Sequence, residues 1–91
     1  MPHLSKQSDA LLKRVRRIAG QVAAIERALE TGEECGKTLH LAAAARGALN
    51  GLLDEIIEAH LREHVAAPGL KDAERKTGAQ EIIEAIRRYA K

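Results

Sequence analysis

The hydrophobic positions in the first third of the chain recur at helical spacing. They are separated by four, three, four, three and four residues, the alternation of a helix that packs along a seam. The pattern predicts a long first helix over about residues 6 to 30, which Thr31-Gly32 is expected to end. The seam consists of Leu11, Val15, Ile18, Val22, Ile25 and Leu29.

A second, longer stripe follows and predicts a helix from about Glu34 to Val65, with Glu33-Glu34 at its acidic start. Gly47 and Gly51 fall in the middle of this helix. Glycine costs about 1 kcal/mol there relative to alanine, so we expect a close approach of another backbone to offset it. The stripe consists of Leu39, Ala42, Leu49, Leu53, Ile56 and His60, widened by Leu52 and Ile57.

The segment Ala66-Ala67-Pro68-Gly69 interrupts the helical pattern. After a polar stretch, Thr77-x-x-Gln80 has the form of a capping box and predicts a short third helix that begins there. The sequence shows no strand pattern, so it predicts one all-α domain over residues 1–91, built from two long antiparallel helices and a short C-terminal helix. The apolar residues expected on one side of the third helix are Ile82, Ile83, Ile86 and Tyr89.

The composition bears on assembly and location. Tyr89 is the one aromatic residue, so the core must be built from Leu, Ile, Val and Ala. A chain of 91 residues with such a core and a single cysteine, Cys35, is too small to be stabilised well alone, which predicts an obligate homo-oligomer. A lone cysteine suits a reducing compartment, and no signal peptide or membrane span is visible, so we expect a cytoplasmic protein with no membrane partner.

The segment HLREH, His60 to His64, fits the metalloprotease signature H-x-x-E-H. Two histidines four residues apart point from one helix face, as a metal chelate requires. Such a pair on its own is more often part of a solvated face. Glu63 lies on a different face from the histidines, and a small three-helix chain offers no evident substrate cleft beside an open metal position. The pattern therefore favours a ligand pair and not an enzyme.

Cys35 and His60 are both on the second helix, 25 residues apart. At 1.5 Å per residue they are separated by about 37 Å and cannot share a site within one chain. If a second copy of the helix packs antiparallel with the two-fold axis near Ala48 and Leu49, Cys35 comes opposite the histidines of the partner chain.

His3 extends the same reasoning, because in an antiparallel hairpin the start of the first helix lies beside the end of the second. The predicted inter-subunit metal site therefore contains His3, Cys35 of the partner chain, His60 and His64. A thiolate with imidazoles suits zinc, nickel, cobalt or copper.

The segment KRVRR, from Lys13 to Arg17, places four of the fifteen basic residues within five positions. A basic run is usually a solvated face, but a tetramer would carry sixteen of these charges, enough for the phosphate contacts that dominate nucleic-acid affinity. The scarcity of aromatic residues argues against single strands and RNA loops, which are bound by base stacking, and favours double-stranded DNA. The candidate DNA-binding residues are Lys13, Arg14, Arg16, Arg17 and Arg46.

With these residues the chain resembles the all-helical copper-sensitive operon repressors and their nickel/cobalt-responsive and formaldehyde-responsive relatives. The resemblance rests on RVRRIAGQVAAIERALE, on Cys35, on ARGALNGLLDEIIEAHLREH and on the short C-terminal helix. It implies a disc-shaped dimer of dimers that binds an operator when ligand-free and releases it when the effector binds. It also implies that Arg14, Arg17 and Arg46 occupy basic positions implicated in operator binding.

The resemblance leaves two effectors open. Copper sensors have a second cysteine where this chain has His64, which argues against copper(I). The nickel/cobalt type has the set His, Cys, His, His, which matches this chain, whereas the formaldehyde type relies on Pro2 and Cys35 and usually has an acidic residue in place of His64. We favour nickel or cobalt, with zinc as a further candidate metal, because His64 has a role only in a metal site.

The apolar seam and the separation of Cys35 from His60 predict that no stable monomer exists. Sedimentation velocity at low micromolar concentration should show a dimer or a tetramer. A compact helical monomer under these conditions would contradict both the oligomer and the shared site.

Overall fold

The structure is a computed structural model that describes residues 8–89. It contains α1 (Ser8–Glu30), α2 (Cys35–His64) and α3 (Asp72–Tyr89), and residues 8–89 contain no strand, which confirms the predicted all-α fold. The helices form two compact units: an α1–α2 unit of residues 9–53, and an α2–α3 unit of residues 54–89 together with Ser8. No helix in the described range is long and apolar enough to cross a bilayer.

The turn after α1 ends the helix where the sequence predicted. Gly32 has a φ of 69°, a left-handed conformation that glycine adopts without strain. The amide of Glu33 donates to the Ala28 carbonyl at 2.8 Å, and the amide of Gly32 to the Leu29 carbonyl at 3.4 Å. These two bonds form a Schellman motif, which satisfies carbonyls that the end of α1 would otherwise leave unpaired.

The α1 seam separates into two rows with a period of seven residues. In the row from Leu11 through Ile18 to Ile25, the first two side chains are buried and the third is half-buried. In the other row, Val15, Val22 and Leu29 remain 44%, 51% and 68% exposed, respectively. A single chain therefore covers one edge of the predicted seam and leaves the other open.

The α2 stripe within the α1–α2 unit is exposed in a similar way. Leu39 is 66% exposed and Leu49 is 49% exposed, whereas Ala45, outside the predicted stripe, is buried. The difference arises because the pattern identifies apolar positions but not which of them the neighbouring helix covers.

The prediction that the third helix begins at Thr77 is wrong, because α3 begins at Asp72. The amide of Lys71 donates to the Glu74 carboxylate at 2.8 Å, which gives half of a capping box with lysine in place of the usual serine or threonine. The Thr77 hydroxyl instead donates to the Ala73 carbonyl at 3.0 Å, one turn back inside the helix. The true start was missed because the N-cap residue is Lys71, which is not a typical N-cap residue type and takes part through its backbone amide.

Helix α3 packs closely against the end of α2. Gly78 is buried, and a methyl group at this position would collide with the backbone of His64. The guanidinium of Arg75 donates to three carbonyl oxygens that follow α2, those of Val65, Ala67 and Leu70. These contacts satisfy the loop backbone and fix the α3 backbone against the last turn of α2.

The apolar residues of α3 do not all lie on its packed side. Ile82 is half-buried, whereas Ile83, Ile86 and Tyr89 are 46%, 48% and 60% exposed, respectively. The α2–α3 unit therefore also has an apolar edge that one chain leaves in contact with solvent.

Replacing Gly78 with alanine should destabilise the protein by about 1 to 3 kcal/mol, because the methyl group meets backbone atoms that cannot move aside. Urea unfolding followed by circular dichroism measures the change. The matched control is Gly20→Ala in α1, where no atom lies within 4 Å of the added methyl group. That variant should be neutral or gain up to about 1 kcal/mol. Equal stability of the two variants would contradict the close packing at Gly78.

Candidate effector and DNA-binding sites

The two histidines of HLREH lie on one face of α2, as predicted. Their ring centroids are 4.6 Å apart and the ring planes are inclined by 40°. Both residues are half-buried at the C-terminal end of the helix. Two imidazoles at this separation form a donor pair of the kind that a borderline transition-metal ion accepts.

The pair has an acidic neighbour that the sequence did not identify. Nε2 of His60 lies 3.0 Å from Oε1 of Glu81 in α3. With its proton on Nε2, His60 donates to this carboxylate, and its Nδ1 then keeps the lone pair that coordination needs. Glu81 was missed because the register of α3 against α2 depends on the contacts of Gly78 and Arg75, which no sequence pattern reports.

The remaining predicted effector residues are placed less completely. Cys35 is the first residue of α2, and its thiol is exposed. Pro2 and His3 lie outside the described residues. Within residues 8–89 of one chain, no group of three or more His, Cys, Asp or Glu side chains is placed to bind a metal ion.

The predicted basic residues differ in their surroundings. Lys13, Arg16 and Arg17 of α1 and Arg46 of α2 are exposed. Arg14 is half-buried, and its guanidinium occupies the space that a Cβ at Gly51 of α2 would need. We expected a backbone to approach Gly51, but a side chain does so instead. At Gly47, no atom of residues 8–89 beyond the adjoining turns of α2 lies within 4 Å of an added methyl group.

The chain is small and all-helical, and it combines paired histidines, an exposed thiol and a basic helix face. This combination is typical of a ligand-responsive DNA-binding regulator. Residues 7–88 match the family model of the metal-sensitive transcriptional repressors. The chain belongs to this family.

Individual relatives agree with this assignment. The chain is 36% identical over 91 residues to the transcriptional repressor RcnR of Salmonella arizonae, and 44% identical over 91 residues to an uncharacterized protein in the bioA 5′ region of Serratia marcescens, with full coverage of both chains in each pair. A solved structure of the formaldehyde-responsive regulator FrmR from Salmonella enterica serovar Typhimurium, in a glutamate-to-histidine variant, is similar with a TM-score of 0.88. That pair is 44% identical and covers 97% of this chain and 99% of the other.

The family assignment excludes a protease role for the H-x-x-E-H pattern. Members of the family are transcriptional repressors and not enzymes, so His60, Glu63 and His64 are not a protease centre. The resemblance stated from the sequence motifs is confirmed at the level of the family.

Proposed function

We propose that the protein is a cytoplasmic repressor that releases double-stranded operator DNA when nickel or cobalt binds at a site shared between two chains. The observation that carries this proposal is the pair of His60 and His64, 4.6 Å apart, with Glu81 in contact with His60. Because the chain belongs to a metal-sensitive family, we favour a metal-ligand role for the two histidines over a role as part of a solvated face.

The proposed ligands are His3, Cys35 of the partner chain, His60 and His64. Their donor set fits nickel or cobalt, with zinc as a further candidate, because it combines imidazoles with one thiolate. Cys35 and the histidines lie at opposite ends of α2, so the proposal requires an antiparallel partner chain. We propose a dimer of dimers, which would also cover the exposed apolar rows of α1 and α2.

Each chain's own residues have defined tasks in this proposal. His60 and His64 offer ring nitrogens, and the Glu81 carboxylate orients His60 by accepting a hydrogen bond from its Nε2–H. The Cys35 thiol loses its proton to act as a ligand, which ties effector affinity to pH. A metal held by these residues would act as a Lewis acid and accept electron pairs from donors of both chains.

A second candidate function is formaldehyde sensing, which the similarity to the formaldehyde-responsive regulator favours. After removal of Met1, the secondary amine of Pro2 would condense with formaldehyde and lose water to give an iminium ion. The Cys35 thiolate of the neighbouring chain would then add to its carbon and form an N–CH2–S bridge. We rank this function second because it gives His64 no role.

For DNA we propose that the basic residues of α1, with Arg46 of α2, contact backbone phosphates. The exposure of Lys13, Arg16, Arg17 and Arg46 supports this, since exposed cations on one chain are repeated in each copy of an oligomer. The net charge of +2 is small, so the binding surface must be local.

Replacing Arg14 and Arg17 with alanine should weaken binding to a duplex from the promoter region of the protein's gene. The slope of log K against log salt should fall by about 0.9 for each phosphate that the variant no longer neutralises, because fewer counterions are released. Fluorescence anisotropy over a salt series measures both quantities. The control is Lys76→Ala with Arg87→Ala, which removes the same charge from exposed positions of α3. If both double variants bind DNA alike, the basic residues of α1 form only a solvated face.

Replacing His64 with glutamate should separate the two effectors. It exchanges an imidazole for a harder oxygen donor, so nickel and cobalt affinity should fall at least about 10-fold while Pro2 and Cys35 stay intact. Calorimetric titration and metal-induced DNA release measure the effect, and release by formaldehyde should not change. His40→Glu is the control, because it makes the same exchange at an exposed position of α2.

Cys35→Ala should abolish both responses, since the thiolate serves both chemistries. Undiminished release of DNA by nickel or cobalt from the His64→Glu variant would remove His64 from the ligand set. The formaldehyde function would then become the first candidate.

A further inference from the structure

Gly51 and Arg14 form a contact between α2 and α1 within the α1–α2 unit. A methyl group on Gly51 would lie 2.7 Å from Nη2 of Arg14 and 3.8 Å from its Cζ. The first separation is too short for two unbonded atoms, so the guanidinium occupies the space that any larger residue would fill. The absence of a side chain at position 51 leaves the space in which the Arg14 guanidinium lies beside α2.

This arrangement is particular to Arg14 among the basic residues of KRVRR. Arg14 is half-buried, whereas Lys13, Arg16 and Arg17 are exposed. It is also particular to Gly51 among the mid-helix glycines of α1 and α2. A methyl group at Gly20 or Gly47 would meet no atom of the described chain within 4 Å apart from its own stretch of helix. A glycine lowers the stability of a helix interior relative to alanine. At Gly51 the missing side chain leaves the space that the Arg14 guanidinium occupies.

We propose that Gly51 is a positioning residue for DNA binding: it provides the recess that holds the Arg14 guanidinium in place before DNA arrives. This inference rests on the proposed function, in which Arg14 contacts operator phosphates. A free arginine loses much of its side-chain entropy when it is ordered at an interface, and an arginine already ordered loses less. The planar guanidinium suits the role, because it can lie along a backbone and still present N–H groups to phosphate oxygens.

The test begins with Gly51→Ala in the full-length protein. The added methyl group meets the end of a flexible side chain and not backbone, so α2 remains intact and Arg14 is displaced. Affinity for the promoter-region duplex should fall about 2- to 10-fold, the decrease expected from one side chain that must now be ordered on binding. The salt slope should stay nearly constant because no charge is removed, whereas Arg14→Ala should lower it. The thermal unfolding midpoint should be unchanged or higher.

Three controls separate positioning from a general structural effect. Gly20→Ala and Gly47→Ala make the same substitution in open space and should leave DNA affinity unchanged if sedimentation shows an intact oligomer. Gly51→Ala made together with Arg14→Ala should bind DNA as weakly as Arg14→Ala alone, since there is no guanidinium left to position. The heteronuclear NOE of the Arg14 Nε–H group in the free protein should drop in Gly51→Ala, which reports the order of the side chain without DNA.

The outcomes are distinct. Loss of DNA affinity from Gly51→Ala in the Arg14→Ala background would overturn the proposal, because the glycine would then act on α2 itself. An unchanged NOE in Gly51→Ala would overturn it independently of any DNA measurement. If the NOE drops but Arg14→Ala binds DNA normally, the recess orders Arg14 for a purpose other than DNA, and it is the phosphate contact of the proposed function that fails.

Discussion

One chain has more apolar surface than its own helices cover, and this constraint shapes the molecule. Among the described residues, the buried apolar side chains are mostly small: three are alanines, and the other two are Leu11 and Ile18. Several larger side chains on each of the three helices are 44% to 68% exposed. Burial of apolar area is the main stabilising term in folding, at about 25 cal/mol per Å², so such a chain gains much from a second copy. If such an association forms, a ligand site divided between chains would depend on contacts that also bury these apolar side chains.

The fold was largely predictable from the sequence. The features that were not predicted share a physical cause, because they depend on contacts that a pattern of residue types does not show. The end of α1, which follows a local signal in the left-handed Gly32, and both ends of α2 were placed within one residue. The start of α3 was placed five residues late, at Thr77 instead of Asp72, because its cap is a carboxylate bonded to the amide of Lys71. The exposure of Val15, Val22 and Leu29 was not predicted, since periodicity shows that a residue is apolar but not what covers it.

The candidate site shows the same division between local and tertiary information. The shared face of His60 and His64 follows from helical spacing alone and was predicted. The contact of Glu81 with His60 depends on how α3 packs, which the buried Gly78 and the side chain of Arg75 determine. In the sequence those two residues look like a helix-weakening glycine and a solvated cation. In the structure, Gly78 allows α3 to pack closely against the His64 backbone, and Arg75 donates hydrogen bonds to carbonyls of the loop.

Charge distinguishes the two effectors and limits how either one can act. A divalent metal bound by one thiolate adds about one positive charge to each site, which by Coulomb attraction alone would strengthen binding to DNA. If a metal is the effector, release would therefore have to come from a change in geometry that places the proposed DNA-contacting residues of α1 less favourably. A methylene bridge from Pro2 to Cys35 would instead remove the charge of an ammonium group, so electrostatics would assist release. A metal response would thus depend more heavily on how rigidly the proposed DNA-contacting arginines are positioned. The recess at Gly51 would therefore matter most if nickel or cobalt is the effector.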